Sequence, residues 1–247
     1  MIGTTTRLAL GYTAMLVHGT VHLGRLGDAQ VRGSLLRQLQ LSGVQALPVV
    51  ALMAVLLGTT VPTQALALLG VDNEVVLKTV VWGGIREGGP LVAALVLIVR
   101  SAVAMAAEIA LMHLRHGVTA EHWADAAHEE EVVIPRVLGL CLAGALLVSY
   151  FQAIAIAAAL LASTWLLDTP LDTELNYFLD TGVWWQIPAA MGKGALFGLG
   201  IGAVACYHGL QARAEVAAVP KAVVAACVAS LVYVALVDLL AAALRFV

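Results

Sequence analysis

The stretch VVLKTVVWGGIREGGPLVAALVLIVRSAVAMAAEIALM, Val75 to Met112, decides how this chain is read. It is apolar along most of its length, and it is too long for one straight helix across a bilayer, which needs roughly 20 residues. Four more runs have spanning length: about Val44 to Leu69, Val133 to Leu167, Trp184 to Tyr207 and Ala222 to Leu244. The expected fold is therefore all-α, a polytopic integral membrane protein of about five transmembrane helices. Ahead of them, Thr5 to Leu23 mixes apolar residues with Arg7, His18 and His22. That mixture reads as an amphipathic helix lying at the membrane surface. Residues 1–40 then form an interfacial or elbow region, and residues 41–247 the transmembrane domain.

Composition leads to the same class. Of 247 residues, 61% are hydrophobic and 12% charged, where soluble domains carry about 25% charged residues. Thirteen basic and sixteen acidic side chains cannot cover a water-soluble globule of this length. The net charge of -3 gives no reason to expect nucleic acid as a partner. Cys141, Cys206 and Cys227 lie inside apolar runs without short-range pairing. They read as buried small side chains, neither a redox centre nor a zinc site.

Lys and Arg placement orients the spans. Arg7, Arg25, Arg32, Arg37, Arg115, Arg136, Arg213 and Lys221 fall on one side if the spans alternate. The other side has Lys78 and Arg245, and its loop from Asp168 to Gly182 holds four acids and no Lys or Arg. The amino terminus is expected in the cytoplasm and the carboxyl terminus outside.

Charges at membrane depth are costly and usually face a bundle interior or a watery cavity. Arg86 and Glu87 precede Gly88-Gly89-Pro90, a run that can loosen a helix and open a cavity beside them. Arg100 and Glu108 are eight residues apart, about two turns, and so share a helical face. Lys193 opens the fourth span among glycines, and Asp238 lies deep in the fifth. Ion pairs that hold helices together account for Arg100, Glu108 and Asp238 as readily as function does. Gly194, Gly198 and Gly202 have the small-xxx-small spacing of closely approaching helices.

The most polar stretch is His113 to Arg136, with His113, His116, His122 and His128 followed by three glutamates. It has no H-E-x-x-H or paired-cysteine spacing for a metal. A short amphipathic helix is expected near Thr119 to Ala127, with Trp123 on its apolar side and Glu121 and Asp125 wet. Enzyme signatures are missing: there is no G-x-S-x-G elbow, and Gly192-Lys193 lacks the upstream glycine of a phosphate-binding loop.

The run Arg86 to Leu95, REGGPLVAAL, with Arg100 and Ala107-Glu108-Ile109, resembles the MlaE/YrbE family of ABC-transporter permeases. Gly43 to Pro48 (GVQALP), Pro135 to Leu138 (PRVL), Gly192 to Gly198 (GKGALFG) and Lys221 to Val224, with Asp238, are similar to further blocks of that family in the same order. The resemblance covers roughly Leu35 to Phe246. It implies a lipid-transporting permease that works as a homo- or heterodimer, does no covalent chemistry and needs no cofactor of its own. ATP would be bound by a separate cytoplasmic ATPase, and an MCE-domain protein beyond the bacterial inner membrane would carry the phospholipid-like cargo. It also implies that Arg86 and Glu87, with Pro90 and Arg100 of the same run, lie beside the lipid cavity. Lys193, Glu108 and Asp238 would be intramembrane polar or packing groups, and a coupling helix within about 115–128 would meet the ATPase through Thr119, Glu121, Trp123 and Asp125.

One departure concerns that helix. The family's version reads close to T-E-Q-I-D-A-L and ends before Asp-Pro, whereas Arg115 to Glu121 here is RHGVTAE and the pair is Ala127-His128. Two other readings therefore remain open: a degenerate scaffold subunit that conducts no lipid, and an ion-coupled secondary transporter using Glu108 and Asp238.

Overall fold

Backbone groups inside a bilayer have no water to bond, so a spanning chain must satisfy them within its own helices or a closed barrel. A computed structural model of the chain, describing residues 29–69, 74–116, 126–167, 170–180, 186–212 and 215–243, takes the helical solution. In order come α1 (Ala29–Ser42), a 3-10 turn (Val44–Ala46), α2 (Leu47–Leu69) and α3 (Glu74–Leu97). A π turn (Ile98–Ala102) leads into α4 (Val103–His116). Then follow α5 (Ala126–Leu167), α6 (Leu171–Asp180), α7 (Ile187–Leu210) and α8 (Ala218–Ala243). Among the described residues, five helical stretches are long and apolar enough to cross a membrane: Gly33–Leu68, Val81–Met112, Val133–Trp165, Ile187–Leu210 and Ala218–Ala243. The five expected spans are all present. The surface helix expected over Thr5 to Leu23 lies outside the described residues, as do Thr119, Glu121, Trp123 and Asp125 of the expected coupling helix.

Two local features differ from expectation. Gly88-Gly89-Pro90 does not interrupt α3, which runs through Pro90 as α2 runs through Pro62 and α5 through Pro135. A proline removes one backbone bond, and close neighbours can absorb that loss in a membrane helix. The irregularity comes two turns later, at the π turn, a feature frequent at functional sites. The acidic stretch Asp168 to Gly182 is also not simply a loop. Exposed Leu171, Leu175 and Leu179 recur every four residues, the spacing of one helical face, and this segment forms α6 after Pro170.

The helices divide into two compact units, described separately. The first comprises residues 46–93 and 145–194. Here α2 meets α5 backbone to backbone: a Cβ on Gly58 would sit 2.6 Å from the carbonyl oxygen of Ala155. Phe151 is fully buried, and its ring lies 3.0 Å from where a Cβ on Gly89 would be.

The second unit comprises the described residues of Met1–Gln45 together with Ala94–Gly144 and Ala195–Val247. Gly198 lies against the carbonyl of Leu140, and a Cβ on Gly202 would come within 3.0 Å of the Val137 Cα. The glycine spacing thus seats α7 directly on α5. Within this unit α4 packs along α8. Tyr233 of α8 covers Gly200 and donates its hydroxyl to the Leu196 carbonyl at 3.0 Å.

Burial is uneven among the spans. Two thirds of the most apolar stretch of α7 is buried (67%), against 17% in α8. Val224, Val228, Val232, Leu236 and Leu240 of α8, like Val49, Leu52 and Leu56 of α2, present apolar side chains outward. Surface of this kind suits lipid tails.

Candidate functional site

Within the first unit, α3 carries Arg86 and Glu87 on consecutive positions about 100° apart around the helix. The pair closes sideways, Arg86 Nε donating to Glu87 Oε1 at 3.2 Å. The other carboxylate oxygen of Glu87 accepts from Lys193 Nζ of α7 at 2.7 Å. Arg86 Nη1 donates to Oε1 of Gln186, the residue that precedes α7, at 2.7 Å. Among the described residues the Nη2 amino group of Arg86 has no acceptor. One carboxylate thus spans two cations from two helices.

Burial grades this cluster. The Lys193 side chain is 8% exposed, whereas those of Arg86 and Glu87 are 33% and 37% exposed. An ammonium so far from water needs its carboxylate, because an uncompensated buried charge is expensive. The Arg86 side chain stays one third exposed, and a guanidinium's planar fork matches a phosphate as well as it matches a carboxylate. Pro90 is buried one turn further along α3.

Next to the cluster is a cavity of about 20 Å³, lined by Trp82, Ile85, Arg86, Gln152, Ile156, Gln186 and Ile187. Gln152 of α5 is 3% exposed, and its Oε1 has no hydrogen-bond partner. Its side chain stands beside Gly89, whose missing Cβ would lie 3.5 Å from Gln152 Cγ.

The remaining expected residues belong to the second unit. Arg100, on the π turn, donates from Nη1 to the main-chain carbonyl of Gln45 at 2.6 Å and from Nη2 to Gln45 Oε1 at 3.2 Å. Glu108 of α4 pairs with Arg136 of α5 at 3.3 Å, its own side chain 57% exposed. Asp238 is half-buried on α8. Arg86, Glu87 and Lys193 are therefore brought together, while Arg100, Glu108 and Asp238 are engaged elsewhere. Sequence reasoning did not pair Lys193 with Glu87 and overlooked Gln152 and Gln186. A lone glutamine inside an apolar run was the available signal for Gln152. No group of three His, Cys, Asp or Glu among the described residues is placed to hold a metal ion.

Comparison with curated proteins gives no match. A family model described as Permease MlaE matches residues 35–244. That match takes in all but the first two residues of the five spans and every residue of the cluster, so the chain belongs to the MlaE permease family and is a membrane permease subunit of an ABC-type lipid transporter.

Proposed function

We propose that this permease moves a glycerophospholipid-like lipid and holds its phosphate at Arg86, with Glu87, Lys193 and Gln186 setting the guanidinium's position. The observation that carries the reading is the Nη2 of Arg86, which has no acceptor among the described residues on a side chain that is one third exposed. Glu87 restrains the guanidinium through Nε and Gln186 through Nη1. The remaining donors can then meet a phosphate with little loss of side-chain freedom.

The chain itself binds no nucleotide in this reading. A cytoplasmic ABC ATPase hydrolyses ATP and drives two permease copies, identical or paired with a relative, between shapes. An MCE-domain protein on the far side of the inner membrane exchanges lipid with them. The amino terminus lies in the cytoplasm and the carboxyl terminus in the periplasm, as the Lys and Arg distribution supports. Thr119, Glu121, Trp123 and Asp125, which lie outside the described residues, are the candidates for contact with the ATPase.

The deciding experiment is Arg86→Ala with mass spectrometry of lipids extracted from the purified protein. Phospholipid per mole of permease should fall severalfold while the protein remains in the membrane. Unchanged phospholipid would remove Arg86 from the site and favour the scaffold reading. Orientation is tested separately with single cysteines at Asp172 and Glu121, in a background free of the native cysteines. An impermeant maleimide on intact cells should label the first and spare the second; the opposite pattern inverts the topology.

A further inference from the structure

Helix α6 (Leu171–Asp180) is about 15 Å long, half the thickness of the hydrocarbon core, so it does not cross the bilayer. Short connections fix its depth. Leu167 ends α5 four positions before Leu171, which puts the two at most about 14 Å apart. Ile187 begins α7 seven positions after Asp180, at most about 25 Å away. Both neighbours are spans, so α6 is tethered to the membrane surface at each end. Trp165, near the end of α5, is 89% exposed and follows the exposed Leu161 by one turn. Tryptophan at the end of a lipid-facing strip marks the headgroup boundary.

The sequence of α6 suits that depth. Leu171, Leu175 and Leu179 lie within about 80° of one another around the axis, and each is about half exposed. Asp172 and Asn176, also exposed, stand about 100° round from Leu171 and Leu175. An apolar strip beside a polar one is the pattern of a helix lying in the membrane interface.

We infer that α6 is a membrane-surface helix whose leucine face rests on lipid, in the headgroup boundary where α5 ends. Lipid is the occupant because the face continues, within a few residues of chain, the apolar surface that α5 presents through Leu161 and Trp165. Residues 168–182 hold four acids and no Lys or Arg. Apolar burial, and not attraction to anionic headgroups, therefore seats the helix, while the acids keep it from sinking into the hydrocarbon. Nothing in this seating requires the phosphate site at Arg86.

The test uses the full-length permease in phosphatidylcholine nanodiscs, with Cys141, Cys206 and Cys227 replaced by alanine. Leu171→Cys, Leu175→Cys, Leu179→Cys, Asp172→Cys and Asn176→Cys each carry one nitroxide spin label. Power-saturation measurements report contact with oxygen, which concentrates in lipid, and with a water-soluble nickel chelate. The oxygen-to-nickel ratio at the three leucine positions should exceed that at Asp172 and Asn176 severalfold. Equal ratios at all five positions would put the leucine face in water and overturn the assignment. Low contact with both reagents at the leucines would put protein against the face, and would overturn it as well.

A second measurement leaves every residue in place. Wild type is reconstituted with a phosphatidylcholine that carries a diazirine high on its acyl chain, and is then irradiated. Peptide mass spectrometry should find adducts on α6 as well as on the exposed strip of α8 at Val228, Val232 and Leu236. Adducts on α8 with none on α6 would remove the helix from the lipid surface.

Discussion

Lys193 and Arg100 look alike in the sequence, each a single cation set into an apolar helical run. The fold treats them differently. Lys193 is almost wholly buried and meets a carboxylate from another helix at 2.7 Å. Arg100 stays exposed and spends its guanidinium on the main-chain carbonyl and side-chain amide of one residue, Gln45. The first arrangement stores a charge where removal of its partner is costly. The second ties the π turn to the 3-10 turn between α1 and α2, and needs no counter-charge. Depth and partner, more than residue type, separate a buried ion-paired cluster from a structural tie.

The sharpest way to break this contrast is Glu87→Gln. It leaves Lys193 at 8% exposure facing a neutral amide, and taking one partner from a buried pair costs roughly 3–5 kcal/mol. Because Glu87 itself is 37% exposed, the lower end of that range, about 3 kcal/mol, is expected. Thermal unfolding in detergent measures it. Glu87→Gln with Lys193→Met should recover much of the loss, since the only cation then left without its carboxylate is the partly exposed Arg86. A double variant as unstable as the single one would mean that the ion pair is not the reason for the cost.

A smaller effect is expected at Arg100. Hydrogen bonds from a charged donor contribute about 1.5–3 kcal/mol, and exposure places Arg100→Leu near 1.5 kcal/mol. Arg100→Lys should recover only part of this, because a compact ammonium cannot reproduce a two-pronged contact. Lipid co-purification sharpens the comparison further. Unchanged occupancy in Arg100→Leu keeps Arg100 as a tie between turns, whereas a loss comparable to Arg86→Ala would put it in the binding machinery.

Much of this architecture was legible beforehand, and for a physical reason. A helix in lipid must be continuously apolar over a fixed length, so the five spans declare themselves in the one-dimensional pattern. Small-residue spacing is as local, which is why Gly198 and Gly202 could be read as a close approach before their contacts with Leu140 and Val137 were seen. The site was only half legible. Arg86 and Glu87 are neighbours in sequence, but Lys193 reaches Glu87 across 106 positions, and no local pattern encodes that pairing. The Arg100 link to Gln45 spans 55 positions and was hidden in the same way. Helix α6 was masked by its acids, which drew attention from the leucines at 171, 175 and 179. Gln152 gave no signal beyond its own polarity inside an apolar run.

The smallest effect is expected at Glu108, and it bears on the ion-coupled alternative. Glu108 and Arg136 approach to 3.3 Å, but the glutamate side chain is 57% exposed. Exposed pairs contribute about 0–1 kcal/mol, so Glu108→Gln should lower stability by no more than about 0.5 kcal/mol. The amide can still accept a hydrogen bond from Arg136 and loses only the charge. A transporter that drew its energy from protons or cations at Glu108 would lose that coupling entirely with the change. A permease driven by a partner's ATP hydrolysis has no such requirement of an exposed glutamate on α4. The measurement is lipid transfer between vesicles by the reconstituted transporter, supplied with ATP and then with an ion gradient alone. Glu108→Gln should transfer lipid at the wild-type rate with ATP, and neither protein should respond to the gradient. Transfer that follows the gradient and vanishes in Glu108→Gln would make this exposed pair, and not the buried cluster around Lys193, the functional charge of the molecule.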